Sequence, residues 1–336
     1  MQFTIRTTLL LSILVTLCPV LALAGESGYE PFRVRNLNPF TLIHGLPAAS
    51  SSQLLNEDES SLHLSMDVAN NSIQGTSDGE QVTLDGETYR IGLVWKKGVG
   101  AGWQMGIEVP YLSHRDGFMD NLIENWHDIF GLSNAKREDW PQNRLRYLYV
   151  KDGDERVSIQ KNTQGVGDIQ LFLSHTLQRD AAGRNSAVHA SLKLPTGDSD
   201  SLLGSGAPDI AFWISGSDAQ LLKRWSMGVY GQAGLLIKGK ADILSEQQRD
   251  AALFGTVGTR WLAYDWLALK LQVDGHTSLY DSAVDQLGGT AVMITVGGSI
   301  LLNDGQSGID ISIGENLTTD TVPDFMVNLS YKHSFH

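Results

Sequence analysis

Apolar side chains recur at every second position along most of the chain, in segments of about ten residues that alternate with polar positions. This period is that of a strand with one apolar and one polar face, and the segment length is what a tilted strand needs to cross a bilayer. Twelve such segments run near 61–70, 87–97, 102–112, 167–177, 186–194, 208–216, 224–237, 249–262, 266–277, 290–301, 307–315 and 324–336. An even number is typical of a closed barrel with both termini on one side.

The third segment illustrates the two faces, because its apolar positions fall on one side and its polar or small positions on the other. They are Trp103, Met105, Ile107, Val109 and Tyr111 against Gln104, Gly106 and Glu108. A soluble β-sandwich alternates in the same way, so the period alone leaves both folds open.

Connection lengths separate these two folds. Short turns at 97–101, 263–265 and 303–307 alternate with longer connections, of which 113–166 is the longest. This asymmetry is typical of transmembrane barrels, with short periplasmic turns and long extracellular loops. The sequence therefore predicts an all-β fold, a transmembrane antiparallel up-and-down barrel of about twelve strands over residues 61–336, with long extracellular loops.

Aromatic residues on the predicted lipid face fall near the segment ends, as expected for the interfacial girdles of a barrel wall. The predicted periplasmic girdle contains Trp95, Trp103, Trp225, Trp261 and Phe335, and the outer girdle contains Tyr89, Tyr111 and Phe325.

The N-terminus predicts export. Arg6 precedes an apolar run from Leu9 to Leu23, and Ala22-Leu23-Ala24 is a small-residue cleavage pattern. We expect a signal peptide over residues 1–24, cleaved before Gly25, and a location in the outer membrane of a Gram-negative bacterium; an N-terminal membrane helix is the alternative. The single cysteine, Cys18, lies inside this segment, so neither a lipid anchor nor a disulfide framework is expected.

Two regions lack the strand pattern. Residues 25–60, here called the arm, contain Asn36-Leu37-Asn38-Pro39-Phe40 and Gly45-Leu46-Pro47, which indicate an irregular periplasmic or lumen-plugging segment. Residues 113–166 form the long external segment. Within it, Phe118, Leu122, Trp126 and Ile129 have helical spacing, and Asp152-Gly153 predicts a hairpin turn between residues 144–150 and 156–160.

Several of these motifs resemble known families. The two arm motifs, together with Gly117-Phe118-Met119-Asp120 and Phe130-Gly131-Leu132, resemble domain of unknown function 3187. Gly165-Val166-Gly167-Asp168 and Lys193-Leu194-Pro195-Thr196-Gly197 resemble barrels assigned to the uptake of aromatic compounds. The resemblance implies a barrel, loosely a transport role, and no catalytic residues. The last strand also resembles the signal read by the barrel-assembly machinery, although Phe335 is penultimate.

Charged residues of the polar face are predicted to point into the lumen. The selectivity candidates are Arg90, Glu108, Asp168, Lys193, Arg260, Lys270, Asp274 and Asp310. They can either pair across a narrow bore and stiffen it or form a charged constriction that selects ions, and the two roles are compatible. The chain as a whole has a net charge of −13, which argues against nucleic acid as a partner.

Two other groups of residues have spacings that could support chemistry. His189 and Ser191 have the spacing of outer-membrane lipid hydrolases, but both are expected to face inward, without a third group to orient the imidazole. Asp120, Glu124 and His127 could bind a metal, but a solvated helix face is the simpler interpretation. No enzyme activity, cofactor or metal is therefore expected.

The sequence favours a narrow passive channel or uptake porin for small solutes, with outer-membrane lipids as its surroundings. A sealed barrel with a structural or surface-interaction role is the alternative, and an outer-membrane lipid hydrolase is less favoured.

Overall fold

A computed structural model describes residues 30–117, 144–317 and 321–335 of the chain. Fifteen strands, β1 to β15 in chain order, form one antiparallel sheet. Their bounds are Ser60–Ser77, Glu80–Gly100, Trp103–Arg115, Arg146–Lys151, Asp154–Ile159, Thr163–Val166, Gln170–Arg179, Arg184–Lys193, Asp209–Leu222, Met227–Lys238, Ala251–Tyr264, Leu267–His276, Ala291–Leu302, Ser307–Asn316 and Phe325–Phe335. Two short helices, α1 and α2, span Pro39–Leu42 and Asp285–Gly288.

Twelve of the strands, β1–β3 and β7–β15, close into a barrel. Each pairs with the next of the twelve along the chain, and β3 pairs directly with β7. Strand β1 pairs with β15 from Ser60 opposite Phe335 to Asn70 opposite Phe325, which closes the ring. The predicted fold class, an antiparallel barrel of twelve strands, is confirmed, and each of the twelve strands overlaps its predicted segment.

The barrel has two different ends. At one end, here called the short-turn end, strands are joined by the brief turns 101–102, 180–183, 223–226, 265–266 and 303–306, and β1 begins and β15 ends there. At the other, the long-loop end, the connections include 116–169, 194–208, 239–250 and 277–290.

The segment 71–86, which lies between the first two predicted strands and was expected to be a connection, is instead a continuation of both strands. Ser72 to Ser77 pair with Glu80 to Asp85, and the turn residues Asp78 and Gly79 have φ angles of 46° and 79°. Two successive positive φ angles produce a turn whose twist matches that of the flanking strands. The expectation was wrong because the turn signal lies at the tip of the connection and the alternation continues on both sides of it.

The long external segment contributes further strands at the same end. Strand β4 pairs with the extension of β2, β5 returns along β4 through Asp152-Gly153, and β6 pairs with the end of β3. The predicted amphipathic helix, with Asp120, Glu124 and His127, lies outside the described residues.

The two faces of the wall differ in exposure. On β12, Leu269 and Leu271 are exposed whereas Lys270 and Gln272 are buried. Apolar side chains exposed in this alternation surround the barrel, an arrangement that suits contact with lipid. Among the described residues, no helix is long and apolar enough to cross a membrane.

Most of the predicted girdle aromatics lie on the outside of the wall. Trp95, Trp103, Tyr111, Trp225 and Phe335 are exposed, and Trp261 is partly exposed.

Two expectations about aromatic residues were wrong. Trp225 lies in a 3-10 turn, Lys223–Trp225, rather than in a strand, because Ser226 adopts a left-handed conformation with φ 57° that ends the turn. Phe325 is buried against Val68, Ile313 and Val327 instead of facing lipid.

Candidate functional site

The described part of the arm, residues 30–59, runs through the lumen and back. The backbone N–H of Phe32 donates to the Gln272 side chain on β12 at 2.9 Å, and farther along the arm Asn36 donates to the backbone carbonyl of Thr321 at the long-loop end at 3.0 Å. Helix α1 follows, started by Asn38, whose side chain accepts from the N–H of Phe40. The chain then returns past β9 and β10 to the start of β1.

The returning leg makes contacts of the same kind. The N–H of Ser50 donates to Gln232 at 3.0 Å, Ser52 donates to Ser217 at 2.8 Å, and the N–H of Leu55 donates to Gln104 at 3.1 Å. The arm is therefore held by inward-facing side chains from β3, β9, β10 and β12, on several sides of the barrel.

A first ion cluster lies midway along the lumen around Glu108. Its carboxylate accepts from Arg33 at 3.0 Å, from Arg35 at 2.9 Å and from Arg90 of the neighbouring strand. Arg90 also donates to Asp67 at 3.1 Å. Since removal of one partner would leave the others buried without compensation, this cluster fixes the rising leg of the arm to β3.

A second ion cluster lies at the long-loop end around Lys193, one of the most buried side chains of the protein. Its ammonium donates to Asp168 at 2.6 Å and to the carbonyl of Ile43 at 3.0 Å, and lies 3.3 Å from Asp209. Asp209 in turn accepts from the N–H of Gly45 at 2.8 Å. This cluster joins the wall, the connection after β8 and the turn of the arm.

Glycine is required at position 45 for this approach. A Cβ there would lie 3.0 Å from the Cβ of Asp209 and 3.2 Å from that of Lys193. Both neighbours are held in the ion cluster, so a side chain at this position would displace the arm from the wall.

His44 and Tyr280 hold the arm next to this cluster. The Tyr280 hydroxyl donates to the carbonyl of Phe40 at 2.8 Å and lies 2.8 Å from the Nε2 atom of His44, from which it can accept. Burial lowers the pKa of His44 to about 4, although the Asp209 carboxylate favours the charged form. Burial also raises the pKa of Tyr280. His44 is thus a neutral ring in this contact at neutral pH.

The remaining selectivity candidates also face inward. Lys270 lies 3.3 Å from Asp310, and Asp274 accepts from Thr256 at 2.6 Å and from Gln272 at 2.9 Å. Arg260 is buried on the same face. The structure thus brings Arg90 together with Glu108, Lys193 with Asp168 and Lys270 with Asp310, so these bases are paired with acids.

An apolar cap closes the long-loop end above the arm. It is one cluster of buried side chains from the β1–β2 extension, β4, β5, α1, and the loops after β8, β10 and β12. Its most buried members include Phe40, Ile43, Ile73, Val82, Leu84, Tyr147, Tyr149, Leu202 and Tyr280. Because these residues come from the arm and from distant loops, they pack over the barrel mouth instead of lining an open passage.

Two of the cavities beside the arm lie towards opposite ends of the lumen. One, at the short-turn end, contains about 1140 Å³ of space between atoms, part of it open to solvent, and is lined by residues such as Lys96, His63 and Trp213. The other lies between the turn of the arm and β10–β13, contains about 570 Å³, and is lined by residues such as Asp274 and His276.

His189 does not pair with Ser191. Its Nδ1 atom lies 2.8 Å from the Ser174 hydroxyl, its Nε2 atom 2.7 Å from the Ser215 hydroxyl, and its ring stacks on Trp213 at a centroid distance of 5.1 Å. Both ring nitrogens are engaged by hydroxyls on neighbouring strands, an arrangement without a carboxylate to orient the imidazole. Within residues 30–117, 144–317 and 321–335, no group of three His, Cys, Asp or Glu side chains could hold a metal.

Sequence inspection missed the residues that fix the arm and line its cavities. Arg33 and Arg35 lie in a stretch without periodicity, so no pattern singled them out, and Gly45 was noted only as part of an irregular motif. Lys96 and Trp213 could be assigned to the inward face by their strand period, but the period does not tell which inward charges lack a partner.

Residues 7–335 match a protein family described as a protein of unknown function, DUF3187. The chain belongs to this family. The predicted resemblance to it is therefore confirmed. No curated relative matches the chain in sequence.

Solved structures similar to this family member include an outer-membrane channel, a porin and a toluene transporter. An outer-membrane channel from Pseudomonas putida F1 is 11% identical, with 84% of this chain and 98% of that chain covered and a TM-score of 0.56. The KdgM porin is 9% identical over 82% of this chain and 99% of that one, with a TM-score of 0.43. The Pseudomonas putida toluene transporter TodX is 10% identical over 94% and 98%, with a TM-score of 0.38. The first likeness shows a shared barrel fold.

Proposed function

We propose that this protein is a passive channel of the bacterial outer membrane for small solutes, and that its arm closes the bore in the resting state. Residues 1–24 act as a signal peptide cleaved before Gly25, and residues 25–60 form the plug. The lumen, rather than a catalytic centre, is the working part of the molecule.

The observation that carries the proposal is the way the arm is held. Beside the apolar packing of Phe32, Val34 and Leu37, it is held to the wall by ion pairs and hydrogen bonds, such as those of Arg35 with Glu108 and of Ser52 with Ser217. Water can replace contacts of this kind when a segment moves, whereas an apolar core would resist wetting. The polar part of the contact between arm and bore is therefore suited to displacement by water and solute.

The outer face and the fold support a membrane role. The lipid-facing rows leave a broad apolar surface that needs a bilayer or detergent. The likeness to the Pseudomonas putida F1 channel supports a bore as the feature on which function depends.

Planar bilayer recordings of the full mature chain test this function. Glu108→Gln removes the charge that holds Arg33 and Arg35, so we expect more frequent and longer openings than in the wild type. Glu57→Gln is the matched control, because Glu57 is exposed at the short-turn end and should leave the openings unchanged. Absence of discrete conductance in all three proteins, each shown to be folded, would rule out the channel.

A sealed barrel is the second candidate, and the apolar cap favours it. The cap buries Tyr147, Tyr149 and Leu202 over the long-loop end, which no small displacement of the arm would open. If conductance is absent, the external strands β4–β6 and the loops around them become the working surface.

The proposed orientation places the long-loop end outside the cell, with outer-membrane lipids around the wall and the C-terminal strand read by the barrel-assembly machinery. A cysteine at Lys161, exposed at the long-loop end, should react with an impermeant maleimide on intact cells. A cysteine at Ala181, exposed in a short turn, should not. The reverse labelling would invert the orientation.

A further inference from the structure

The cavity at the short-turn end, here called the chamber, has a charge opposite in sign to that of the whole protein. Among the described residues, Arg33, Lys96, Lys270 and Lys332 line it together with two acids, Glu30 and Asp310. The chain as a whole carries a net charge of −13. A local excess of positive charge in a concave, partly enclosed site attracts anions.

Three of the four bases are already paired. Arg33 lies 3.0 Å from Glu108, Lys270 lies 3.3 Å from Asp310, and Lys332 donates to Glu30. Lys96 differs from them, because within the described ranges no acid lies in ion-pair distance of its ammonium. It is placed beside Ser61 of β1 and Gly106 of β3, neither of which supplies a charge.

Two further polar atoms of the chamber lack a partner in the part of the chain that the structure describes. The Nε2 atom of His63 and the indole Nε1 of Trp213 are buried and make no hydrogen bond. Both side chains are more than nine-tenths buried, and both line the chamber. Such groups are costly to leave unsatisfied, so in a cavity they are available to a bound ligand or to water.

The rest of the lining is mixed, with serine hydroxyls and the amides of Gln53 and Gln104 beside an apolar part. The apolar part of the lining is contributed by Leu54, Val94, Phe172 and the ring of Trp213. A ligand that suits this chamber therefore needs one negatively charged acceptor group and an apolar body, the combination typical of small-molecule sites with a few convergent polar groups.

We propose that the chamber is a binding site for small monocarboxylates with an apolar body, in which Lys96 neutralises the carboxylate and Trp213 bounds the body. One unpaired ammonium matches one negative charge, so a second carboxylate or a phosphate dianion would remain uncompensated. The inference names the solute class of the proposed channel and so rests on that function. Binding to the chamber is nevertheless measurable without any conductance.

Ligand-observed NMR on the full mature chain in detergent micelles tests the site, with benzoate as the probe. Acetate has the charge without the body, and benzyl alcohol has the body without the charge. We expect benzoate to bind, and both other probes to bind at least roughly tenfold more weakly, since each lacks one of the two contributions.

Lys96→Met should weaken benzoate binding by roughly tenfold, and Trp213→Phe, which keeps an aromatic ring but removes the indole N–H, by roughly threefold to tenfold. Lys97→Met is the matched control, because Lys97 lies on the opposite face of β2 and does not line the chamber. This variant should bind benzoate as the wild type does.

The outcomes separate the site from the channel. Equal binding of benzoate and benzyl alcohol, or equal losses in Lys96→Met and Lys97→Met, would overturn the carboxylate site. Absence of benzoate binding in a barrel that conducts would overturn it while leaving the channel in place. Benzoate binding that depends on Lys96 in a barrel that never conducts would establish the site and exclude the proposed channel.

Discussion

At the long-loop end of the lumen, Lys193 has two carboxylates within ion-pair distance, and the arm above it is packed under the apolar cap. At the short-turn end, Lys96 faces an open chamber with no acid within ion-pair distance among the described residues. The two lysines occupy the same inward face of one barrel, so their difference lies in their neighbours. The charge of Lys193 is paired and helps to hold the arm in place, whereas the charge of Lys96 is left available for a solute.

Removal of Lys193, the lysine paired with two carboxylates, should have the largest effect on stability. Lys193→Met leaves Asp168 and Asp209 buried without their cation, and we expect a loss of about 3–5 kcal/mol in the free energy of unfolding. Denaturant titration in detergent micelles measures it. Combining Lys193→Met with Asp209→Asn should recover part of the loss, and a double variant no better than the single one would show that the ion cluster is not the cause.

Acidification should have the second-largest effect, which is again a loss of stability at the long-loop end. The folded-state pKa of His44 is about 4, below its unfolded value near 6.5. As the pH falls, the unfolded chain takes up this proton at a higher pH than the folded chain does. The contribution of His44 to stability is therefore fully present above pH 6.5 and is lost as the pH is lowered towards 4. The loss is about 1.4 kcal/mol per pH unit, up to about 3 kcal/mol. His44→Gln should flatten this part of the profile, and an unchanged slope would assign the effect to other groups.

Removal of the Tyr280 hydroxyl, which contacts the turn of the arm, should cost less stability. Tyr280→Phe removes the hydrogen bond to the carbonyl of Phe40 and the contact with His44, while the ring still packs in the cap. We expect a loss of about 1–2 kcal/mol in unfolding free energy. Tyr264→Phe, at an exposed ring near a short turn, should cost less than about 0.5 kcal/mol. Equal losses would mean that Tyr280 does not hold the arm.

Removal of Lys96, which has no acid within ion-pair distance among the described residues, should have the smallest effect on stability. Lys96→Met breaks no ion pair, so the free energy of unfolding should change by less than about 0.5 kcal/mol in either direction. The same denaturant titration provides the comparison with Lys193→Met. A loss above about 2 kcal/mol would show that Lys96 has a structural partner and would remove the contrast between the two ends.

The wall could be predicted from sequence because its signal is local. Alternation over segments such as 102–112 specifies both the strand and the face that each side chain occupies. The same local signal explains the failure at 71–86, where the strands extend beyond the expected boundary to a turn at Asp78-Gly79.

The interior could be predicted only in part. Strand parity placed Arg90, Lys193 and Lys270 inside, but their partners come from other strands and from the arm. Phe32 and Gln272, for example, are separated by 240 positions. The arm has no period from which such contacts could be inferred, so the distinction between paired and unpaired charges required the folded structure.

The central claim is that the arm must leave the wall for the bore to conduct. Ser52 of the arm and Ser217 of β9 bring their hydroxyl oxygens to 2.8 Å, so Ser52→Cys with Ser217→Cys should form a disulfide. The mature chain is expected to contain no other cysteine. We predict that single-channel openings in a planar bilayer are absent in the oxidised double variant and appear on reduction, while the Ser217→Cys single variant is unaffected by the reductant. Equal conductance of the oxidised and reduced double variant would contradict this account.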